Sequence, residues 1–184
     1  IPAVASYVGG DIVAGVIACG IADHPETKAL IDVGTNGEIV IGNNDWMVCC
    51  SASAGPAFEG GGIGDGMRAT RGAIERIMIE DNRLTYRTIG DARPRGICGS
   101  GLIDCIYAFV TNGIIDNDGK FKTSSQNERI IEKDGETKFI VAYSKDTETG
   151  KDLTITESDI ANIIRSKGAV FAAIKSLADY VGMK

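Results

Sequence analysis

Two short apolar runs on either side of a four-residue polar turn constrain the fold of this chain more than any other feature. Residues 29–33 and 38–41 are rich in β-branched side chains, and the turn between them, residues 34–37, ends in Asn-Gly. An Asn-Gly pair between such runs is a strong signal for a β-hairpin. A third β-rich run, residues 46–51, follows at once. Three consecutive strands with short connections predict an antiparallel meander.

Two more hairpins are predicted farther along the chain. Residues 74–80 and 84–89 alternate in polarity about an Asp-Asn pair at 81–82, which is typical of a hairpin. A third hairpin, about residues 134–135, is rich in Lys and Glu. We interpret residues 117–151 as a solvent-facing surface insertion that contains this hairpin.

Three helices complete the predicted mixed α/β domain. Residues 11–19 and 102–110 are apolar stretches that end at glycine-containing turns. The last helix begins at Thr156 and Asp159, which have capping-box spacing. Its apolar positions at helical spacing are Ile160, Ile163, Ile164, Phe171, Ile174, Leu177 and Val181. Because this apolar face is one-sided, we expect it to pack on a sheet of the same chain.

Composition narrows the class of protein. The chain has 184 residues, of which 43% are hydrophobic and 24% charged, and this is typical of a globular domain that needs no disulfide or metal staple. A formal charge of −6 argues against a nucleic-acid partner, because such partners need surfaces rich in Lys and Arg. No apolar run reaches the roughly 20 residues of a membrane span. We therefore expect no membrane partner.

The five cysteines predict thiols rather than a metal centre. They show no C-x-x-C spacing, and His24 is the only histidine, so this chain lacks the ligand pattern of zinc and iron–sulfur sites. We expect reduced, structural thiols in a cytoplasmic protein and no iron–sulfur cluster in this chain. The cysteines are Cys19, Cys49, Cys50, Cys98 and Cys105.

The first candidate site is the turn after the first predicted strand. Asp32 ends that strand, and residues 34–37 supply a hydroxyl and exposed backbone amides. Such amides can hold phosphate oxygens, and the carboxylate can hold a magnesium-bound water or orient a nucleophilic water. An ordinary hairpin, in which Asp32 merely accepts hydrogen bonds from turn amides, fits the spacing at least as well.

Two further segments contain candidate residues. Residues 96–101 have GxxGxG spacing and lead into a helix, so their amides can face an anion, although helix starts use glycine for packing as often. We expect valine at Gly99 or Gly101 to weaken nucleotide binding and to leave the fold largely intact. Glu59 follows a run of small residues and is placed to reach the cleft of Asp32; a solvated Glu at a tight corner is the alternative.

Four motifs in this order resemble the C-terminal ATPase region of reductive activators of corrinoid proteins. They are DVGTNGE at 32–38, AGPAFEG at 54–60, GMRA at 66–69 and GICGSGLID at 96–104, and VGGD at 8–11 extends the resemblance toward the start of the chain. Four motifs in sequence are far more specific than any one of them. The segment 117–151 contains no motif of the family.

The resemblance implies an architecture and a chemistry. The activators belong to the actin-like ATPase (ASKHA) superfamily, so it implies an RNase H-like, actin-type α/β fold with a mixed sheet and flanking helices. It also implies ATP or ADP with Mg²⁺ as cofactor, a 2Fe-2S domain elsewhere in the parent protein, and a corrinoid protein of a methyltransferase system as partner; a homodimer is a further expectation. The expected site residues are Asp32 and Glu59 as catalytic residues, Asp32 as metal ligand, and Gly34, Thr35, Asn36, Gly37, Gly99, Ser100 and Gly101 as nucleotide-binding residues.

Two departures from the family pattern indicate an internal piece of a longer protein. No phosphate loop of Asp-x-Gly-Thr-Thr type precedes residue 32, and no Gly-Gly-Phe-Gly-like adenosine segment follows the last helix. We expect residues 1–184 to form a single domain that supplies one wall of a nucleotide cleft and hydrolyses little or no ATP alone. Two rival functions stay open: a small-molecule kinase of the same superfamily, and a non-catalytic docking domain for a corrinoid partner.

The cysteine pattern generates a prediction about metal content. The purified 184-residue chain should be colourless, hold no stoichiometric iron or zinc, and show titratable thiols after unfolding, because its cysteines lack ligand spacing. Elemental analysis and a thiol titration in denaturant would measure this. About one tightly bound metal ion per chain would contradict it.

Overall fold

The computed structural model describes residues 3–4, 7–122, 127–133 and 135–183. The chain divides into two compact units: unit 1 comprises Ile1–Gly55 and Arg165–Lys184, and unit 2 comprises Pro56–Ile164. Whether both units act as one domain stays a prediction. The described part of the chain contains three α-helices, namely α1 (Gly10–Ala18), α2 (Gly99–Thr111) and α3 (Glu157–Tyr180). None of these helices combines the length and apolar character that crossing a membrane requires.

The sheet of unit 1 is the predicted meander. Its strands are β1 (Lys28–Val33), β2 (Gly37–Gly42) and β3 (Met47–Ala52), in the order β1-β2-β3 and antiparallel throughout. Val33 pairs with Gly37, so the connecting loop is residues 34–36. Neither Asn36 nor Gly37 has the positive φ of a type I′ turn. The hairpin is confirmed, with a three-residue loop in place of a two-residue Asn-Gly turn.

The two faces of this sheet contact different helices. Ile39 faces α3, where it packs with Val170 and Leu177. Val40, one residue on, faces the other way and packs with Ile12 of α1, because successive strand residues point to opposite sides. The prediction that the apolar face of the last helix packs on a sheet is therefore confirmed. Phe171 is predicted to belong to this apolar face but does not. It is 63% exposed, because it lies one position beyond the buried Val170.

Unit 2 contains two small sheets. The first has the order β5-β4-β6 and the second the order β7-β8-β9. At the predicted β4–β5 turn, Asp81 and Asn82 have φ of 48° and 61°, which confirms a two-residue hairpin loop of type I′. The strands are β4 (Ala73–Glu80), β5 (Arg83–Thr88), β6 (Gly96–Ile97), β7 (Ile130–Lys133), β8 (Glu136–Ala142) and β9 (Leu153–Thr156).

Helix α2 packs against β4 and contributes Phe109 to the core of unit 2. The ring of Phe109 lies 4.5 Å from that of Phe139 and 5.7 Å from that of Phe121, measured between centroids. The helix begins at Gly99, three residues before the predicted start, because the glycine turn forms its first turn.

The segment 117–151 is only partly on the surface. Its third hairpin is confirmed by the antiparallel pairing of β7 and β8, although Asp134 and residues 123–126 lie outside the described residues. Phe121, Phe139 and Val141 are buried in the core of unit 2. The expectation of a solvent-facing hairpin is wrong for β8, because its second half, residues 139–142, is apolar and buried. That the segment is an insertion stays a prediction.

Two aspartates hold the glycine-dense stretch 60–66 in place. The Asp65 carboxylate accepts hydrogen bonds from the Thr154 amide at 2.7 Å and from the Thr154 hydroxyl at 3.1 Å. The Asp159 carboxylate accepts from the Gly64 amide at 2.9 Å and from the Thr156 amide at 3.0 Å. The Asp159 amide donates in return to the Thr156 hydroxyl at 3.0 Å, which confirms the predicted capping box.

Replacing Asp159 by alanine should destabilise the protein by about 1–3 kcal/mol, because the Gly64 and Thr156 amides lose their acceptor at a buried position. Urea unfolding followed by circular dichroism measures the change. Asp179→Ala on the same helix is the control. Its exposed ion pair with Lys175 is worth little, so the free energy of unfolding should change by less than about 0.5 kcal/mol. Equal losses in both variants would contradict the prediction.

Candidate functional site

The first candidate site is the turn end of the β1–β2 hairpin in unit 1. Asp32 pairs directly with Glu38 across the two strands, and Glu38 pairs with Ser51 on the far side. Directly paired residues of antiparallel strands project from the same face of a sheet. The Ser51 hydroxyl donates to Glu38 Oε1 at 3.3 Å. One face of the sheet thus carries two carboxylates and a hydroxyl in a row.

The Asp32 carboxylate accepts no hydrogen bond from the backbone amides of its own turn, which the structure describes in full. It is exposed, and no amide of a described residue donates a hydrogen bond to it. The ordinary-hairpin alternative needs such bonds, so the structure lacks the contacts that this alternative predicts. Like charges directly opposite each other on paired strands are unfavourable, and a cation near Asp32 and Glu38 would relieve the repulsion.

The turn residues differ in what constrains them. The Gly34 amide donates to the Asn36 carbonyl at 2.9 Å, which tightens the turn, and Thr35 is exposed at its tip. Gly37 is buried, and a Cβ there would lie 2.8 Å from Val170 Cγ2 of α3. Packing therefore explains Gly37, whereas Thr35 is open to solvent.

The second candidate site is the start of α2 in unit 2. Cys98 is the N-cap residue, and its side chain makes no capping hydrogen bond. The first helical bond runs from the Leu102 amide to the Cys98 carbonyl at 2.9 Å. The amides of residues 99–101 precede it, and such amides are the groups that bind anions at helix starts. Ser100 between them is exposed.

The glycines of this turn are required by packing. A Cβ at Gly99 would overlap the Phe58 carbonyl oxygen, and a Cβ at Gly101 would overlap the Ile74 carbonyl oxygen. Both obstacles are backbone atoms, which cannot rotate away as a side chain can. The expectation that valine at either position leaves the fold largely intact is therefore wrong.

The two candidate catalytic carboxylates belong to different units. Asp32 lies on β1 in unit 1, and Glu59 ends a short 3₁₀-helix, Pro56–Glu59, in unit 2, where it is exposed. A cleft shared by Asp32 and Glu59 stays a prediction. Glu38 is not among the site residues predicted from the sequence. Its signal is the spacing: with a three-residue loop, the residue six positions after Asp32 lies directly opposite Asp32.

The thiols differ in accessibility. Cys19 is exposed, whereas Cys98 and Cys105 are buried. Burial strongly raises the pKa of the Cys105 thiol above its usual range, and the nearby Asp104 carboxylate raises it further. Because the thiolate is the reactive form, Cys105 is a structural residue. The described residues contain no group of three or more His, Cys, Asp or Glu that could hold a metal ion.

Comparison with known proteins now bears on these sites. Residues 26–184 match the family described as "C-terminal domain of RACo the ASKHA domain". The chain belongs to this family. The match covers both the 32–38 turn and the start of α2, and it confirms the ASKHA fold that the motif resemblance implied.

The similar proteins have consistent names. The whole chain is 33% identical to "Corrinoid activation enzyme RamQ" of Eubacterium limosum and 27% identical to "[Co(II) methylated amine-specific corrinoid protein] reductase" of Methanosarcina barkeri. The solved structure of a "Reductive activator for corrinoid,iron-sulfur protein" superposes over the whole chain with a TM-score of 0.94 and 48% identity. The chain covers 32%, 34% and 30% of these proteins respectively, about a third of their length.

Replacing Gly99 by alanine should lower the free energy of unfolding by about 1–3 kcal/mol, because the new methyl group must displace the Phe58 backbone. Ser100→Ala is the control, since the exposed Ser100 hydroxyl only touches Cys98 Sγ, at 3.4 Å, and its loss should cost less than about 0.5 kcal/mol. Thermal and urea unfolding of both variants measure the difference. Full stability of Gly99→Ala would overturn the packing explanation.

Proposed function

We propose that this chain is the ASKHA region of a longer cytoplasmic protein that uses ATP to reductively activate a corrinoid protein. The observation that carries the proposal is the 48% identity, over the whole chain, to a reductive activator for a corrinoid iron–sulfur protein. Two further relatives bear names that refer to corrinoid activation or reduction. The partner of the whole protein is then a corrinoid protein of a methyltransferase system. A homodimeric parent is part of the same proposal.

The reaction couples nucleotide turnover to electron transfer. ATP and water give ADP and phosphate, and the associated conformational change lets one electron pass from a 2Fe-2S domain of the parent protein to Co(II) of the partner, which becomes Co(I). The present chain has no cysteine spacing for a cluster. Its part in the reaction is therefore to bind the nucleotide and to change conformation with it.

Asp32 and Glu38 form a donor set that fits Mg²⁺. Proteins bind this ion through one or two carboxylates, while water and substrate phosphates complete the octahedron. With Mg²⁺ bound, Asp32 would hold a water of the ion or orient the attacking water, and Glu59 would be the second catalytic carboxylate. Gly34, Thr35, Asn36 and Gly37 form the phosphate turn.

The start of α2 supplies a second set of amides for the nucleotide. Gly99, Ser100 and Gly101 lie at the positive end of the helix dipole, which favours an anion. Their close packing against the Phe58 and Ile74 carbonyls fixes the direction of these amides before a ligand arrives. Such fixed donors lose little entropy on binding.

The test uses the full-length protein, a corrinoid protein as partner, ATP, Mg²⁺ and a reductant. Asp32→Asn keeps the size of the side chain and removes its charge, so the ATP-dependent formation of Co(I) should fall by about 10²-fold or more. Loss of the Co(II) signal in electron paramagnetic resonance measures the rate. Asp45→Asn, which removes an equally exposed charge of unit 1, should leave the rate unchanged.

Other outcomes of this experiment distinguish the proposed function from its two rivals, the docking domain and the kinase. Normal turnover by a folded Asp32→Asn variant would make Asp32 a simple turn residue. Co(I) formation that needs no nucleotide would favour the docking domain, and phosphate transfer from ATP to a small molecule would favour the kinase.

A further inference from the structure

Unit 2 contains a cavity of about 570 Å³ that none of the candidate site residues line. Four elements meet there: the β4–β5 turn, the end of α2, the turn before β7 and the residue that follows β8. The described lining residues are Asn82, Asn112, Gly113, Ile114, Asn127, Glu128, Arg129 and Tyr143. The volume lies within the range of about 300–1,000 Å³ that small-molecule sites occupy. Three asparagines and one arginine make the lining unusually polar.

Arg129 is held rigidly at this cavity. Its Nη1 donates to the Ile140 carbonyl at 2.9 Å and to the Val141 carbonyl at 3.2 Å. The guanidinium carbon lies 4.9 Å from the centre of the Tyr143 ring. In the described part of the chain no carboxylate pairs with Arg129, and its Nε and Nη2 make no hydrogen bond. Its two remaining donor nitrogens, Nε and Nη2, lie on a fixed guanidinium with no carboxylate partner among the described residues. Such a group is suited to bind an anion in bidentate fashion.

Two asparagines offer complementary polar atoms beside this cation. Asn112 Nδ2 donates to the Ala108 carbonyl at 2.9 Å and to the Ile79 carbonyl at 3.3 Å, which leaves Oδ1 as an acceptor. Asn127 Oδ1 accepts from the Arg129 amide at 3.1 Å, which leaves Nδ2 as a donor. The hydrogen bonds themselves determine which atom of each amide is nitrogen. The cavity therefore presents a cation, one donor and one acceptor.

We propose that this cavity binds a small carboxylate that carries a neighbouring hydroxyl group. The carboxylate pairs with Arg129 and accepts from Asn127, and the hydroxyl donates to Asn112. Glu128 also lines the cavity and is exposed, and its negative charge disfavours a doubly charged phosphate more than a carboxylate. The phosphate group of a monoester dianion carries no proton, so it would also offer no donor to Asn112. The proposal is independent of corrinoid activation.

Calorimetric titration of the full-length protein with L-lactate, at constant ionic strength, tests the proposal. Propionate is the matched ligand without the hydroxyl, and it should bind about 5–10-fold more weakly because Asn112 Oδ1 is left unpaired. Arg129→Gln should weaken lactate binding by at least about 10-fold. Glu128→Gln removes the repulsive charge and should tighten it about 2–3-fold.

Each outcome decides for or against the site. Absence of saturable lactate binding, or equal affinity for lactate and propionate, overturns the proposal. If Arg129→Gln does not fold because the Ile140 and Val141 carbonyls lose their donor, the exposed Glu128→Gln variant still decides: an unchanged lactate affinity places the anion elsewhere. Co(I) formation by the Asp32 variants is a separate measurement, so the two proposals can fail independently.

Discussion

The close contact between Val170 of α3 and the bare backbone of Gly37 determines the architecture of unit 1. A Cβ at Gly37 would lie 2.8 Å from Val170 Cγ2, so only glycine lets the helix approach the start of β2 this closely. The buried Ser166 hydroxyl adds a hydrogen bond of 2.6 Å to the Ala54 carbonyl, which ties the same helix to the chain just beyond β3. These contacts fix the end of the meander, and the exposed Asp32 and the half-buried Glu38 project from that end.

The glycines of the α2 turn show that packing and binding need not be alternatives. Gly99 and Gly101 are necessary because backbone carbonyls of Phe58 and Ile74 occupy the space of a side chain. The same tight fit leaves the first amides of the helix at its positive end, with no capping side chain from Cys98. A sequence motif cannot separate the two uses, because both require the same residue at the same position.

Local patterns were sufficient for much of the fold. The three hairpins, the last helix and the capping box of Thr156 and Asp159 depend on residues close together in sequence, and all are confirmed. The errors concern long-range contacts. Phe171 has helical spacing but lies beside the buried stripe. Strand β8 begins with charged residues, although its second half is buried and its Phe139 packs against the Phe109 ring.

The sequence by itself determined the family of this chain, the β1–β2 hairpin and Asp32 as a candidate, because motifs and turn chemistry are local. Only the tertiary structure decided that Glu38 stands opposite Asp32, since that depends on a loop of three residues and not two. It also decided that Arg129 is fixed beside Tyr143 and lines one cavity with Asn112 and Asn127. Residues from separate elements come together only through the packing of the core, which no local pattern encodes.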